Sequence, residues 1–371
     1  MSSRREFVEL AKVEGANVSE LCRRFGISRK TGHKWIGRER GGEEGWEADR
    51  SRRPLHSPGK VAAAVEERVL AERAEHAAWG GRKIRRRLQD KGQSPPAAST
   101  VTAILRRNGK IEPLASLQKG PMTRFERAEP NELWQMDFKG AVPMASGGKC
   151  HPLTIVDDHS RYAVCVQACA DEQAATTREA MTVAFRRYGL PVRMLMDNGA
   201  CWGRVEARYT LLNAWMLRLG IRISHGRPRH PQTQGKDERF NRTLKDEALR
   251  GTLHTDLKDF QKTFDAFRAM YNHERPHEAL GLATPATRYR VSAFEFPETL
   301  PPIEYLDGDI VRRVGAAGYV SYKKHRFQVG RAFTGEPVGL RPTERDGVYA
   351  VYFCHQRIAR IDLKGGLCEQ V

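Results

Sequence analysis

No stretch of the 371-residue sequence approaches the ~18 uncharged apolar residues needed to span a bilayer, so nothing in it reads as membrane-embedded. Cysteine is sparse and unpaired. The seven residues, Cys22, Cys150, Cys165, Cys169, Cys201, Cys354 and Cys368, are odd in number and contain no CxxC, which argues against a disulfide framework and against a zinc site. The N-terminus lacks the apolar core of a secretory signal and carries Arg4, Arg5, Glu6 and Glu9 instead, which predicts a cytoplasmic protein with reduced thiols. There is no sequence repeat and no low-complexity tract. Negative charge is short: 45 Asp and Glu face 63 Lys and Arg, a net charge of +18. A surplus of this kind suits a polyanionic partner, nucleic acid above all, although solubility alone also accounts for it. Its distribution says more, because residues 1–130 hold 28 basic against 17 acidic side chains.

What is present divides into segments. In VSELCRRFGISRKTGHKWI, Val18, Leu21, Cys22 and Phe25 fall on one helical stripe, Gly26 interrupts it, and Ile27, Thr31 and Trp35 resume it. This is helix-turn-helix spacing, assigned to a domain over residues 1–45. Asn17 with Glu20 predicts a capping box, and Ser28 a second cap. Six basic side chains and no acidic one lie between Leu21 and Arg38. Arg29, Lys30, His33 and Lys34 fall at the start and on the outer face of the second helix, where a recognition helix meets the major groove or phosphates. The competing reading is an ordinary helical hairpin with a solvated face. A loop rich in Gly, Glu and Arg leads to a second unit, 57–112, where WGGRKIRRRLQDKG gives a helix bearing Arg82, Lys83 and Arg85 to Arg87. This predicts a second helix-turn-helix-like domain touching DNA through Arg82 and Lys83, against the bland reading of a solvated basic face. Residues 113–130 read as linker.

From Asn131 to residue 295 the pattern becomes strand, strand, strand, helix, strand, helix, strand, helix, an α/β domain. ELWQMDFKG alternates, with Trp134, Met136 and Phe138 on one face and Gln135, Asp137 and Lys139 on the other. HPLTIVDDHS and RYAVCVQA form a hairpin turning near Asp158 to Arg161. PVRMLMDNG is a short buried strand ending at Asp197. Short apolar runs over 301–371 predict a small all-β, barrel-like domain.

Asp137, Asp197 and Glu238 sit respectively on a strand's polar face, at a strand end and on the helix after the fifth strand. Open α/β sheets gather reactive groups at strand ends. Phosphodiester attack uses two hard cations about 3.5–4 Å apart, held by oxygen ligands. Each residue also has a plain reading: Asp-Asn-Gly is ordinary turn chemistry, and Asp157 and Asp158 compete as strand-end carboxylates. Glu238 shares a helical face with Asn241, Arg242 and Lys245, while Phe240, Leu244 and Ala248 form the packing stripe. An i,i+4 surface pair is the bland reading, and a metal-binding Glu238 beside phosphate-binding cations the sharp one.

In order, LWQMDFKG, VDDHSRYAV, MDNGA, HGRPRHPQTQGKDERFNRTLK and YNHERPHEALGLATPATRY closely resemble the integrase-type core of bacterial insertion-sequence transposases, the DDE superfamily with a ribonuclease-H-like fold. The resemblance covers roughly residues 130–290. It implies that Asp137, Asp197 and Glu238 are the catalytic and metal-binding triad, holding two Mg²⁺ ions for which Mn²⁺ can substitute. Lys236, Arg239, Asn241 and Lys245 match positions flanking the family's glutamate, and with Arg242 they are expected to contact DNA, while Arg275, Pro276 and His277 match a family signature assigned to structure or assembly. The tandem N-terminal units resemble that family's end-binding region. Two departures stand out: 40 residues separate Asp197 from Glu238, somewhat more than is common in the superfamily, and the retroviral His-His-Cys-Cys zinc module has no counterpart. Zinc is not expected.

The expected function is therefore a DNA transposase that binds terminal inverted repeats and performs metal-dependent cleavage and 3′-hydroxyl strand transfer. Its expected partners are double-stranded DNA, as element ends and target, and further copies of itself on paired ends, in the nucleoid and without a membrane. The alternatives are a DNA-binding regulator derived from such an enzyme and a ribonuclease-H-like nuclease that cuts without joining.

Overall fold

The computed structural model describes residues 3–49, 61–111, 126–197, 209–225 and 235–370. Several sequence readings lie outside these residues: most of the linker at 113–130, the extended loop around 201–208, and the Pro231 turn before the Glu238 helix. The chain forms two compact units, residues 1–61 and 62–371.

The first unit packs three helices, α1 (Ser3–Ala11), α2 (Val18–Arg24) and α3 (Arg29–Arg40). The expected caps form: Asn17 Oδ1 accepts from the amides of Ser19 and Glu20, and Ser28 Oγ from that of Thr31. The capping box is only half made, because Glu20 pairs with Arg23 instead of reaching back. Phe7, Val8, Cys22 and Ile36 form the core. Gly32 is what lets α3 approach so closely, since a Cβ there would lie 2.6 Å from Cys22 Sγ and 2.8 Å from Phe7 Cζ. Gly32→Ala is expected to destabilise this unit by about 1–3 kcal/mol, read as a lower thermal midpoint for residues 1–61. An unchanged midpoint would show that the helix pair yields.

The second unit opens with α4 (Ala63–Glu75), α5 (Gly81–Asp90) and α6 (Ala98–Arg107). The central sheet follows, with β1 (Trp134–Phe138), the short β2 (Val142–Pro143), β3 (Lys149–Asp157), β4 (Ala163–Cys169), then α7 (Ala174–Tyr188), β5 (Arg193–Met196), α8 (Leu211–Arg218) and β6 (Arg222–His225). Strands β4, β3 and β1 pair antiparallel, whereas β1, β5 and β6 run parallel, and β2 adds to one end of β3. Period-two alternation sorts the side chains. Trp134 and Met136 of β1 join Phe185 and Trp215 of α7 and α8 on one face. On the other face α9 (Gly235–Leu244), continued by a π-helical turn over Lys245–Leu249, packs with α10 (Leu257–His273). Phe240, Leu244, Phe260, Phe264 and Tyr271 cover Val156 and Val166 there. Three antiparallel strands followed by two parallel ones, with helices on both faces, is ribonuclease-H-like topology.

The C-terminal portion is all β: β7 (Ile310–Arg313), β8 (Tyr319–Tyr322), β9 (His325–Gln328), β10 (Pro337–Pro342), β11 (Val348–Phe353), β12 (Gln356–Asp362) and β13 (Leu367–Gln370). Five strands form an antiparallel sheet in the order β13-β12-β11-β10-β7, and β8 and β9 form a separate hairpin. Cys368 Sγ on the β13 edge reaches Gln328 O of the hairpin at 3.3 Å. This layer docks on the central domain through Tyr209 against Phe333 and the Arg218–Glu336 ion pair.

Candidate active site

Asp137 and Asp197 lie at the carboxyl ends of two parallel neighbours, β1 and β5. Gln135 pairs in parallel with Leu195, the last pair of this ladder; Asp137 lies two residues further on in β1, and Asp197 directly follows the last residue of β5. The electrostatics agree with this placement. Asp137 is pushed up to about 6, first by burial and then by the charge of Asp197. Asn241 Nδ2 donates to Asp137 Oδ2 at 2.9 Å, and the Asn241 oxygen accepts from Thr154 Oγ1 at 3.2 Å.

Helix α9 lies over this sheet edge and corrects part of the sequence reading. Its buried face holds Asp237, Phe240, Asn241 and Leu244. Asn241 therefore does not share the outer face with Glu238; it holds Asp137 in place. Glu238 is 66% exposed and lies 3.5 Å from Arg242, while Arg239 and Lys245 also face outward. Lys236 departs from the expected outward set as well. It is half-buried, and its Nζ pairs with Asp158. The side chains of Asp137, Asp197 and Glu238 do not close into one tight ligand cluster; the only such group of His, Cys, Asp and Glu among the described residues is Glu72, Glu75 and His76.

The competing carboxylates are structural. Asp157 accepts from the Asn131 and Ser160 amides and from Ser160 Oγ, which closes the β3–β4 turn. Asp158 accepts from Gln135 Nε2 and the Arg127 amide besides Lys236.

Sequence reasoning missed Asp237 and the place of Lys139 beside Lys245, itself an expected DNA contact. Asp237 precedes Phe240 by three residues and Leu244 by seven, so the stripe spacing itself assigns it to the buried face. Lys139 on the strand side is pushed down by burial and then by Lys245, which places two cations beside the same edge.

The basic residues expected to meet DNA separate into two groups. Arg29, Lys30, His33, Lys34 and Arg82 are exposed. Lys83 is turned inward, and burial followed by the charge of Arg275 lowers it to about 8. That correction has a clear origin. The second helical unit docks on the core, where Trp79 Nε1 donates to Glu247 Oε2 at 3.2 Å. Glu247 in turn takes the buried Arg275 guanidinium at 2.9 Å. The Arg-Pro-His signature thus anchors α10 to the π-helical turn and to Trp79.

His277 of that signature is buried, and burial, reinforced by Arg275, lowers it to about 3. An unfolded histidine titrates near 6.5, so the stability held by its neutral form is complete above that pH and is lost as pH falls toward 3. The thermal midpoint of His277→Asn is expected to fall less steeply with acidification below pH 6.5 than that of the parent. Parallel acid profiles would contradict it.

Comparison with known proteins completes the picture. Residues 127–231 and 219–285 match integrase core domains, 3–54 a helix-turn-helix domain, 31–105 a homeodomain-like domain, and 309–367 the C-terminal domain of IS481 family transposases. An uncharacterized 31.7 kDa protein of insertion element IS407 from Burkholderia multivorans is 26% identical over 289 residues, 76% of this chain and 95% of that protein. The Gag-Pol polyprotein of baboon endogenous virus is 28% identical over 55% of this chain, a match that spans only 12% of the viral protein. Among solved structures, the catalytic core domain of BIV integrase aligns at 25% identity with a TM-score of 0.32, covering 42% of this chain and 92% of that one.

The domains define a helix-turn-helix DNA-binding protein with an integrase core, an enzyme of the polynucleotidyl-transferase type. Together with the IS481-type C-terminal domain and the IS407 relative, they identify an insertion-sequence transposase that acts in DNA transposition and integration. No helix among the described residues is long and apolar enough to cross a membrane.

Proposed function

We propose that this transposase binds the terminal inverted repeats of its element through α3, and that Asp137, Asp197 and Glu238 hold two divalent cations, Mg²⁺ or Mn²⁺, for cleavage and 3′-hydroxyl strand transfer. The observation that supports the reading is that β1 and β5 are parallel neighbours whose carboxyl ends carry Asp137 and Asp197, with the charge of Asp197 acting on Asp137. The donors suit hard cations, because they are all carboxylate oxygens, and the buried Asp237 adds oxygens that no described group satisfies. Bound cations would neutralise the phosphate charge and help both attacking and leaving oxygens.

The chain's own residues supply the rest. Asn241 fixes the rotamer of Asp137 by donating to its Oδ2, and the backbone amide of Phe138 also bonds this carboxylate. Arg239, Arg242 and Lys245 project from α9 where a phosphate backbone would pass, and each contributes a salt-sensitive contact. Arg29, Lys30, His33 and Lys34 are presented on the outer face of α3 for groove and phosphate contacts. Zinc has no part in this reading. Two copies pairing two element ends would make the synaptic assembly, and the protein would act in the cytoplasm on nucleoid DNA.

The nuclease alternative is separated by supplying ends already carrying free 3′-hydroxyls together with a target plasmid. Joined product supports the transposase; nicking without joining supports the nuclease. Light scattering on paired-end DNA is expected to find more than one copy, and monomers alone would contradict the assembly.

A further inference from the structure

Helix α9 carries two adjacent acidic residues that face different ways. Glu238 is 66% exposed, whereas Asp237 is 1% exposed and neither of its oxygens has a hydrogen-bond partner among the described residues. A buried carboxyl group without a hydrogen-bond partner is costly for a fold to hold. One turn along the same face, Asn241 donates to Asp137, so Asp237 looks toward the same sheet edge. Asp137 is also the strongest charge acting on it, followed by Asp158. The adjacent cation acts on it only more weakly than Asp137 and Asp158 do, because the Lys236 ammonium is drawn to Asp158. Asp158 itself is already satisfied by Gln135 and the Arg127 amide.

We propose that Asp237 is a fourth metal-facing carboxylate of this centre, its oxygens compensated by a divalent cation shared with Asp137. The inference rests on the reading that Asp137, Asp197 and Glu238 hold cations. Two carboxylates from opposite layers, one on β1 and one on α9, then close on the same hard ion, and cation binding pins α9 to the sheet. Occupancy and fold stability become linked, since a ligand that binds only the folded state raises its stability.

The test uses the full chain, stripped of metal and titrated with Mn²⁺ alone, reading Mn²⁺ affinity by electron paramagnetic resonance and the thermal midpoint alongside. The parent is expected to bind Mn²⁺ and to melt higher as Mn²⁺ is added. Asp237→Asn is expected to weaken Mn²⁺ affinity by about tenfold or more and to shrink the Mn²⁺-induced rise in midpoint. Without metal it should melt no lower than the parent, because the amide replaces a buried acid whose oxygens have no hydrogen-bond partner among the described residues. Asp237→Val should give the same loss should the Asn variant fail to fold. Asp137→Asn serves as reference and should lose Mn²⁺ most completely. Parent-like affinity in Asp237→Asn with affinity lost in Asp137→Asn would overturn the role of Asp237 while leaving the metal centre intact. Parent-like affinity in Asp137→Asn would overturn the metal centre and this inference with it.

Discussion

Asp137→Asn is expected to reduce strand joining by ~10³-fold or more while end binding stays within about twofold of the parent. The asparagine keeps the shape of the side chain and one oxygen, but removes the charge that a hard cation requires. In the proposed centre Asp137 is the most constrained carboxylate: Asn241 donates to it, the charge of Asp197 acts on it, and burial raises its affinity for a proton. End binding is spared because the basic face of α3 belongs to the other compact unit. Joining measured with pre-processed ends and binding measured by gel shift on the same preparations separate the two effects. Joining at a tenth of the parent rate or better would remove Asp137 from the centre.

Replacing Arg29, Lys30, His33 and Lys34 together with Ala is expected to weaken binding to the element's end by about a hundredfold. Three of the four carry a full positive charge, so the slope of log affinity against log salt should become shallower by about 2–3. All four are exposed on a helix whose opposite face, Gly32 and Ile36, is buried against α1 and α2, so the fold should tolerate their loss. Fluorescence anisotropy with labelled end DNA at several salt concentrations reads both quantities. An unchanged slope would mean that α3 is a solvated helix, the bland reading of its composition.

Much of this arrangement is legible in the sequence because it follows from local periodicity. Alternation in WQMDF is enough to place Trp134 and Met136 opposite Gln135 and Asp137, and the helical stripe finds Cys22 of the helix-turn-helix core with Val18 and Ile27 packed against it, but not Phe7, Val8 or Ile36. The apolar runs and turns of the last 70 residues or so likewise announce short strands. What sequence does not yield are the partners that arrive from elsewhere in the chain. Lys83 sits in a basic run that looks like a solvated face, and only the docking of Trp79 on Glu247 turns it inward. Lys236 looks like a phosphate contact until Asp158, nearly eighty residues earlier, takes it. Asn241 lies at the edge of two helical stripes, three residues from Glu238 and four from Asp237, so its face is set by its bond to Asp137. Asp237 was readable in principle from its spacing to Phe240 and Leu244, but a charged residue on a buried stripe runs against the expectation that such residues face water.

The central claim, that this chain joins DNA ends at a carboxylate metal centre, is tested most directly by a Mg²⁺-dependent joining assay. Labelled ends taken from the DNA flanking the gene are incubated with the parent protein and with Glu238→Gln. The account predicts joined product from the parent, dependent on Mg²⁺, and none from the variant at equal end binding. End binding without metal-dependent product from either protein would contradict it and leave a DNA-binding regulator.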